Sequence, residues 1–511
     1  MTAEGYLPHT AAVVVADNRA VEVDVALTVD AGTVSAMGKR LDSVQRAIYY
    51  DAAGQDAGAV FGMAQNRCAD MFAGYFHDPS PEAVLKNSVY DLDNEANAVM
   101  WKVAYGEIMP AIVRTEKYAK DRYPEIYAMA KILKVLAMHR VCDMYGPILY
   151  TRYGADPEAV DTQEEAYAAF FADLDEATAL LRAFNGDNHF ASYDLLMPDG
   201  KRDAASWVKF ANSLRLRLAL RISMAAPASS QTQAQKALDP TAGGLLELPE
   251  DRVAVSAGGA GGYVNPLGVL AAGGRVKMNA NMESITSGHR DPRQSVWFKP
   301  ATADPILGQY RGMRQGTGST SDSYRGVSDA NIPPSADAVL MRASEVWFLR
   351  AEAALRGYSA ENVKTCYEEG VRCSFAENGV SGVNEYLGSD NVPADFVDPF
   401  DPNNSFESWS VVSPKWNDGE DPETKLEKII TQKWLACFPE GCEAWTEKRR
   451  TGYPSLAAVK ENRSGGTIDT NIGIRRLLFP QDAAHYPELV DALGGSDNGG
   501  TRLWWDTGHN F

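Results

Sequence analysis

The thirty residues from Lys425 to Pro454, which read LEKIITQKWLACFPEGCEAWTEKRRTGYP from Leu426 on, leave this chain few ways to fold. Leu426, Ile429, Ile430, Trp434, Cys437 and Phe438 recur at three- and four-residue intervals and so form one apolar helical stripe. Pro439-Glu440-Gly441 stops that helix, because proline disfavours helical backbone at the residue before it and glycine turns the chain at little steric cost. A second short helix follows, with Ala444 and Trp445 placed to fold back on the first. It leaves through Arg449-Arg450-Thr451-Gly452-Tyr453-Pro454. The spacing predicts a helical hairpin with two tryptophans inside it.

The chain has 511 residues, enough for a large core or about three units of ordinary size. Its 49 basic and 68 acidic residues give a net charge of −19, which argues against nucleic acid and against an anionic membrane face as partners. No stretch approaches a membrane span, and the N-terminus has no signal-peptide apolar core. Of the six cysteines, Cys366 and Cys373 stand about 10.5 Å apart along a helix, too far to bridge. Cys437 and Cys442 flank the hairpin turn, either as a bridge or as two buried thiols. Histidine and cysteine spacing offers no zinc site, and no metal or cofactor is expected.

In chain order, Val21, Val23, Val25, Leu27 and Val29 alternate with polar residues and, with Val13–Val15, predict an extended hairpin over residues 1–30. Helical spacing begins at Thr33. Val60, Phe61, Ala64, Cys68, Met71, Phe72, Tyr75 and Phe76 predict a helix ending near His77-Asp78-Pro79, and a single helix is expected over Asn94–Lys120. Pro124 opens the next, which runs to Met144; Gln163–Phe184 and Asp203–Met224 follow. From 225 to 337 the chain is expected to be loop-rich, most clearly from Gly258 to Pro334. Helix returns at Ala338 and runs to 377, a second loop region covers 378–423, and a hairpin and tail close the chain over 424–511. Helix pairs are thus expected at about 94–146, 163–224, 338–377 and 424–450, all in a single domain of mainly α class.

The helix reading QKW, the FPxG turn, EAW and RRTGYP together strongly resemble the C-terminal signature of the SusD/RagB family, outer-membrane glycan-binding lipoproteins of Bacteroidetes. Asp143-Met144-Tyr145-Gly146 with Pro147 to Tyr150, Asp291-Pro292-Arg293, Gln309-Tyr310-Arg311-Gly312, Gly494 to Asn498 and Leu503-Trp504-Trp505-Asp506 are similar to family elements in the same order. The likeness runs from about residue 60 to the end and does not include residues 1–30. AEAALRGY (351–358) followed by Tyr367 resembles the tetratricopeptide pattern of closely packed helix pairs. The resemblance implies a tetratricopeptide-like scaffold displaying irregular loops and a few short strands. It further implies capture of oligosaccharide or polysaccharide at the cell surface and delivery to a TonB-dependent, SusC-like transporter. The anchor implied is an N-terminal lipidated cysteine; the first cysteine here, Cys68, lies in a helical pattern. The expectation is therefore a trimmed mature form, with Met1 supplied for expression.

Sugar recognition uses flat aromatic faces against C–H surfaces, and a few polar groups for the hydroxyls. The candidates are loop residues: Trp297, Tyr310 and Tyr324 with Arg314 and Arg325, then Phe76, His77, Asp78 and Tyr90, with Trp409 and Trp416 ranked behind. For each aromatic the competing role is to anchor its loop by packing. Trp101, Trp347, Trp434 and Trp445 lie on apolar helical faces and are assigned to the core. Arg449 and Arg450 are expected to satisfy carbonyls and the helix dipole.

No catalytic residue is expected. Glu345 and Glu352 are about 10.5 Å apart along one helix, beyond the roughly 5–9.5 Å of glycosidase pairs, and are expected to be structural. Ser206-Trp207-Val208-Lys209, Ser389-Asp390-Asn391 and Arg450-Thr451-Gly452 imitate the three elements of penicillin-recognising serine enzymes. The last, however, follows a helix where that mechanism needs a strand. The leading alternative to glycan capture is peptide capture by a RagB-like protein, with an enzyme behind it.

Overall fold

Helices begin where the sequence supplies an acceptor for free backbone N–H groups. Thr33, Asp203, Asn362 and Asp421 cap their helices through side-chain oxygens, and Thr162 with Glu165 forms a reciprocal capping box. Pro124 and Pro422 open theirs at a position that needs no N–H. The computed structural model describes residues 32–51, 56–80, 86–257, 262–317 and 322–511. The hairpin expected over residues 1–30 lies outside them.

The longer α-helices are α1 (Val34–Ile48), α2 (Met109–Ala119), α3 (Pro124–Tyr145), α4 (Gln163–Ala183), α5 (Ala204–Arg221), α6 (Pro227–Leu238), α7 (Ala280–Gly288), α8 (Ala343–Leu355), α9 (Val363–Glu377), α10 (Pro422–Cys437) and α11 (Gly441–Thr451). The expected pairs form: α2 packs on α3, α4 on α5, α8 on α9 and α10 on α11. Further packing of α3 on α4, α5 on α8 and α8 on α10 joins the pairs into one body. Among the described residues strands are few: β1 (Phe76–His77), β2 (Arg252–Val255), β3 (Lys277–Met278) and β4 (Ala338–Arg342), paired β1–β3 and β2–β4, both antiparallel.

Four boundaries differ from expectation, each for a local reason. The helix through Val60 and Phe72 contains a π-helical segment, Gly62–Asp70, and stops before Gly74, whose φ of 77° turns the chain. Phe76 and His77 are therefore strand, not helix. Asn94–Lys120 is interrupted by a π-helical turn at Ala104–Ile108, just before Pro110, which has no N–H to continue the ladder. The 225–337 region holds α6, α7 and the short Pro266–Ala272 helix, so it is less irregular than its composition implies. Residues Ala338–Arg342 form β4, and α8 begins only at Ala343.

The helices are tied together at their centre by ions. Arg221 of α5 reaches Glu443 at 2.6 Å and Glu447 at 2.8 Å, both on α11, with Asp143 of α3 at 3.7 Å. Arg217 grips Glu345 of α8 at 2.7 Å through two nitrogens. Lys433 of α10 lies 2.8 Å from Glu443, and Arg450 bridges Glu352 (2.7 Å) and Glu447 (2.6 Å). Arg356 adds a 2.8 Å contact to Glu352. All are buried except Arg356, which is half-buried, and the five cations match the five carboxylates. Glu345 and Glu352 are thus structural, as their spacing suggested. Burial alone would raise the Glu447 carboxyl, but Arg450, Lys433 and Arg221 outweigh it and bring it down to about 2.

Replacing Arg450 by Met leaves Glu352 and Glu447 each short of a partner. The expected loss is about 3–5 kcal/mol at pH 7, read from urea unfolding. A carboxylate depressed in the folded state stabilises above its unfolded pKa of about 4.3, and that contribution fades as pH falls toward the folded value. The deficit of the Arg450→Met variant should therefore shrink when the unfolding is repeated near pH 4.

Candidate ligand-binding site

The two candidate sets, distant in sequence, meet on the β1–β3 pair. Phe76 stands opposite Met278 and His77 opposite Lys277. Lys277 Nζ donates to Asp329 at 2.6 Å and to the Arg325 carbonyl at 2.7 Å, which ties the later loop to the same edge. Asp78 receives Arg275 at 3.0 Å, with Arg67 at 3.7 Å, and accepts the Ser80 N–H at 2.9 Å. Arg275, half-exposed at this edge, was not singled out by the sequence; an arginine among glycines carries no spacing signal.

Most of the candidate aromatics anchor loops rather than face solvent. Phe76 is buried between Phe298 and Phe438. Trp297 stacks on Phe438 at 4.8 Å, its Nε1 donates to Asn378 at 2.7 Å, and it belongs to the core. Tyr90 is buried. Burial lowers the His77 pKa, against the neighbouring Asp78, so its ring is held neutral inside the fold. Tyr324 is buried in a separate small cluster with Ala301, Ile306, Met313 and Val327, its hydroxyl donating to Asp398 at 2.8 Å and receiving Asn404 at 3.1 Å. Trp416 is also buried, its Nε1 donating to Asp418 at 2.8 Å. Trp347, assigned to the core, is instead half-buried, covered by Arg350 at 3.7 Å.

The solvent-facing candidates are fewer. Arg325 is exposed beside Asp322. Tyr310 is half-buried, with its inner side on the core. Arg314 is half-buried and spends its donors on the carbonyls of Asn404, Ser405 and Ala458, so it braces two loops together. Trp409, ranked low by sequence, is 48% exposed.

The segment that carries Trp409 is held rigidly. Phe396 and Phe406 form an antiparallel bridge with stacked rings 5.3 Å apart, and the Ser408 N–H donates to Asp395. Ala394 exchanges hydrogen bonds with Ser284 of α7, and His289 meets the Val412 carbonyl at 2.9 Å. Gly288 is required at this junction, because a Cβ there would lie 2.3 Å from the Ala394 nitrogen. Val392, Val397 and Val411 are exposed on the same ribbon. The result is an open shelf with one broad aromatic face.

Neither enzyme reading gains a site. Glu345 and Glu352 are occupied by arginines. Thr451 lies within α11 and Arg450 is committed to Glu352 and Glu447, so the Arg-Thr-Gly element is a helix end and not a strand. Cys437 and Cys442 are free buried thiols. Among the described residues no group of three or more His, Cys, Asp or Glu side chains could hold a metal, and no helix is long and apolar enough to cross a membrane.

A mainly helical body with a loop-borne aromatic shelf defines a class of binding protein, and comparison with known proteins places it. Residues 26–506 match the SusD-like family, described as Susd and RagB outer membrane lipoprotein. A SusD homologue from Bacteroides vulgatus is 41% identical, with a TM-score of 0.88 over 93% of this chain and 98% of that one. A chitin-binding SusD homologue from Flavobacterium johnsoniae is 35% identical, with a TM-score of 0.87 over 93% and 100%. A homologue from Bacteroides thetaiotaomicron is 31% identical, with a TM-score of 0.84 over 93% and 99%. A search of curated proteins gives no match. The chain belongs to the SusD/RagB family.

Tyr324→Phe separates anchoring from recognition. Removing its hydroxyl takes one partner from Asp398 Oδ2 and one from the Asn404 amide, so a loss of about 1–2 kcal/mol in thermal or urea unfolding is expected. A large loss of ligand affinity at unchanged stability would instead return Tyr324 to the binding surface.

Proposed function

We propose that this protein captures oligosaccharide at the cell surface, with Trp409 as the principal stacking platform, and passes it to a TonB-dependent, SusC-like barrel. The observation that carries the reading is the exposed indole of Trp409 on a ribbon locked to α7. Pyranose rings present C–H faces that such a plane covers, while nearby polar groups hydrogen-bond the hydroxyls. Tyr310 and Arg325 supply further half-buried and exposed contacts from the neighbouring loop. Membership of the SusD/RagB family and the chitin-binding relative support a glycan ligand and an outer-membrane setting.

An open shelf binds weakly. Single-site affinities in the millimolar to micromolar range, about 4–8 kcal/mol, are expected. Anchoring above a transporter offsets this by raising the effective concentration of captured glycan. No bond is made or broken in this scheme.

Calorimetry with chitin oligosaccharides and a wider glycan panel tests the reading. At least one glycan should bind the wild-type chain, and Trp409→Ala should weaken it roughly tenfold, the equivalent of about 1.4 kcal/mol, without lowering the unfolding midpoint. Unchanged glycan affinity in that variant would remove Trp409 from the site. Peptide binding with no glycan binding would favour the RagB-like alternative, and shortened oligosaccharides after incubation would favour an enzyme.

A further inference from the structure

The ions at the helix junction balance, but among the described residues two of their neighbours on α11, the half-buried Lys448 and the buried Arg449 between Glu447 and Arg450, have no such match. A cavity of about 50 Å³ lies beside the end of α11 and is lined by Lys448, Arg449 and Arg475, with no aspartate or glutamate in its wall. Arg475 is matched by Asp506 at 2.6 Å, and that carboxylate is shared with Arg502, also at 2.6 Å. Among the described residues Arg449 forms no ion pair with a carboxylate; its guanidinium lies over the rings of Trp445 at 3.7 Å and Trp505 at 5.0 Å. Its Nη groups donate to the carbonyls of Asp143 and Arg475 and to the Thr446 hydroxyl, while its buried Nε has no acceptor among the described residues. The Lys448 amine has only a long contact, 3.4 Å to the Pro454 carbonyl.

Such an arrangement is electrostatically costly at Arg449, since a buried cation is normally paired with an opposite charge, and less so at the half-buried Lys448. Burial, and then the charge of Arg475, push the Lys448 amine down to about 8. Burial also lowers Arg449, where Asp143 opposes the effect and Arg475 adds to it. The remaining wall is neutral and offers further polar groups. Tyr90 stands at it in left-handed backbone, φ 62°, a conformation uncommon for an aromatic residue, with its hydroxyl packed against Gly473. Asn281 and Gln315 complete the polar side. Ile472, which also lines the cavity, is 46% exposed, so the site opens to solvent there.

We propose that this cavity binds a small inorganic anion of halide size, held between Lys448, Arg449 and Arg475. The volume decides the class of ligand. Pockets for sugars and other organic ligands run to roughly 300–1,000 Å³, several times what is present. A monatomic anion fits, and its charge answers Lys448 and Arg449, which have no carboxylate beside them among the described residues and whose contacts are carbonyls, a hydroxyl and tryptophan rings. The bound ion would fasten the Tyr453-Pro454 exit to the 472–475 segment, since Lys448 reaches the first and Arg475 belongs to the second.

Bromide tests this directly on the full chain. Crystals grown or soaked in sodium bromide should show an anomalous peak between Lys448, Arg449 and Arg475. In solution, exchanging sodium HEPES for sodium bromide at equal ionic strength should raise the unfolding midpoint by about 1–2 °C through binding to the folded state. Lys448→Met should abolish both the peak and that increment. If Lys448→Met does not fold, the wild-type peak and midpoint shift still decide the matter. Absence of an anomalous peak in the wild-type cavity, or a midpoint insensitive to bromide, would overturn the proposal.

Discussion

Everything in this fold is positioned by the buried charge network between α3, α5, α8, α10 and α11. Arg217, Arg221, Arg356, Lys433 and Arg450 meet Asp143, Glu345, Glu352, Glu443 and Glu447 across five helices drawn from four separate stretches of the chain. Such a network adds little net stability over an apolar core, because desolvation offsets most of the Coulombic gain. Its effect is on register. A helix that slid or rotated by one residue would leave several charges buried and unmatched, so alternatives to the native packing are heavily penalised while the native one is merely permitted. Apolar stripes bring helices together; here the ions specify which residues face which.

The loops inherit their positions from that scaffold through one aromatic residue. Phe438, in the turn between α10 and α11, touches Tyr75, Phe76, Trp297 and Phe298. These belong to the β1 strand and to the segment after α7, so a single turn fixes both loop-bearing edges. Beside it, Gly441 lies so close to Asp70 that a Cβ would come within 2.2 Å of the carboxyl oxygen. The Asp70 side chain accepts from Gln65 at 2.9 Å, and burial raises its pKa to about 8. A second anchor is Arg293, fully buried, which grips Asp291 at 2.6 Å and donates to Ser374 of α9. The FPxG and Asp-Pro-Arg elements are therefore joints between scaffold and loops.

This explains what could and could not be read in advance. Helices α3, α4 and α5 and the α10–α11 hairpin were legible because caps, prolines and apolar spacing act within a few residues. The strand at Ala338–Arg342 was not, since its apolar run looks helical until β2, some eighty residues earlier, pairs with it. The candidate site was only partly legible for a related reason. An aromatic in a loop signals a flat apolar surface, but spacing does not say whether protein or ligand covers it. Trp297 and Tyr324 are covered from within, by Phe438 and by the Asp398–Asn404 pair. Trp409 looks no different in sequence, yet no protein ring or loop covers it among the described residues and it stays 48% exposed.

The electrostatics of the loop face narrow what it can hold. Lys277 is taken by Asp329, Arg275 by Asp78, Arg311 by Glu283, and Arg314 by three backbone carbonyls. Their charges brace the chain and are not presented as a cluster. Arg325, exposed beside Asp322, is screened by water and contributes little as an isolated pair. Among the described residues these cations offer an anionic ligand no cluster of counter-charge. A neutral, hydroxyl-rich ligand loses nothing by that. It needs shape, an apolar plane and distributed hydrogen bonds, which an open shelf around Trp409 can offer without disturbing the ion pairs beneath.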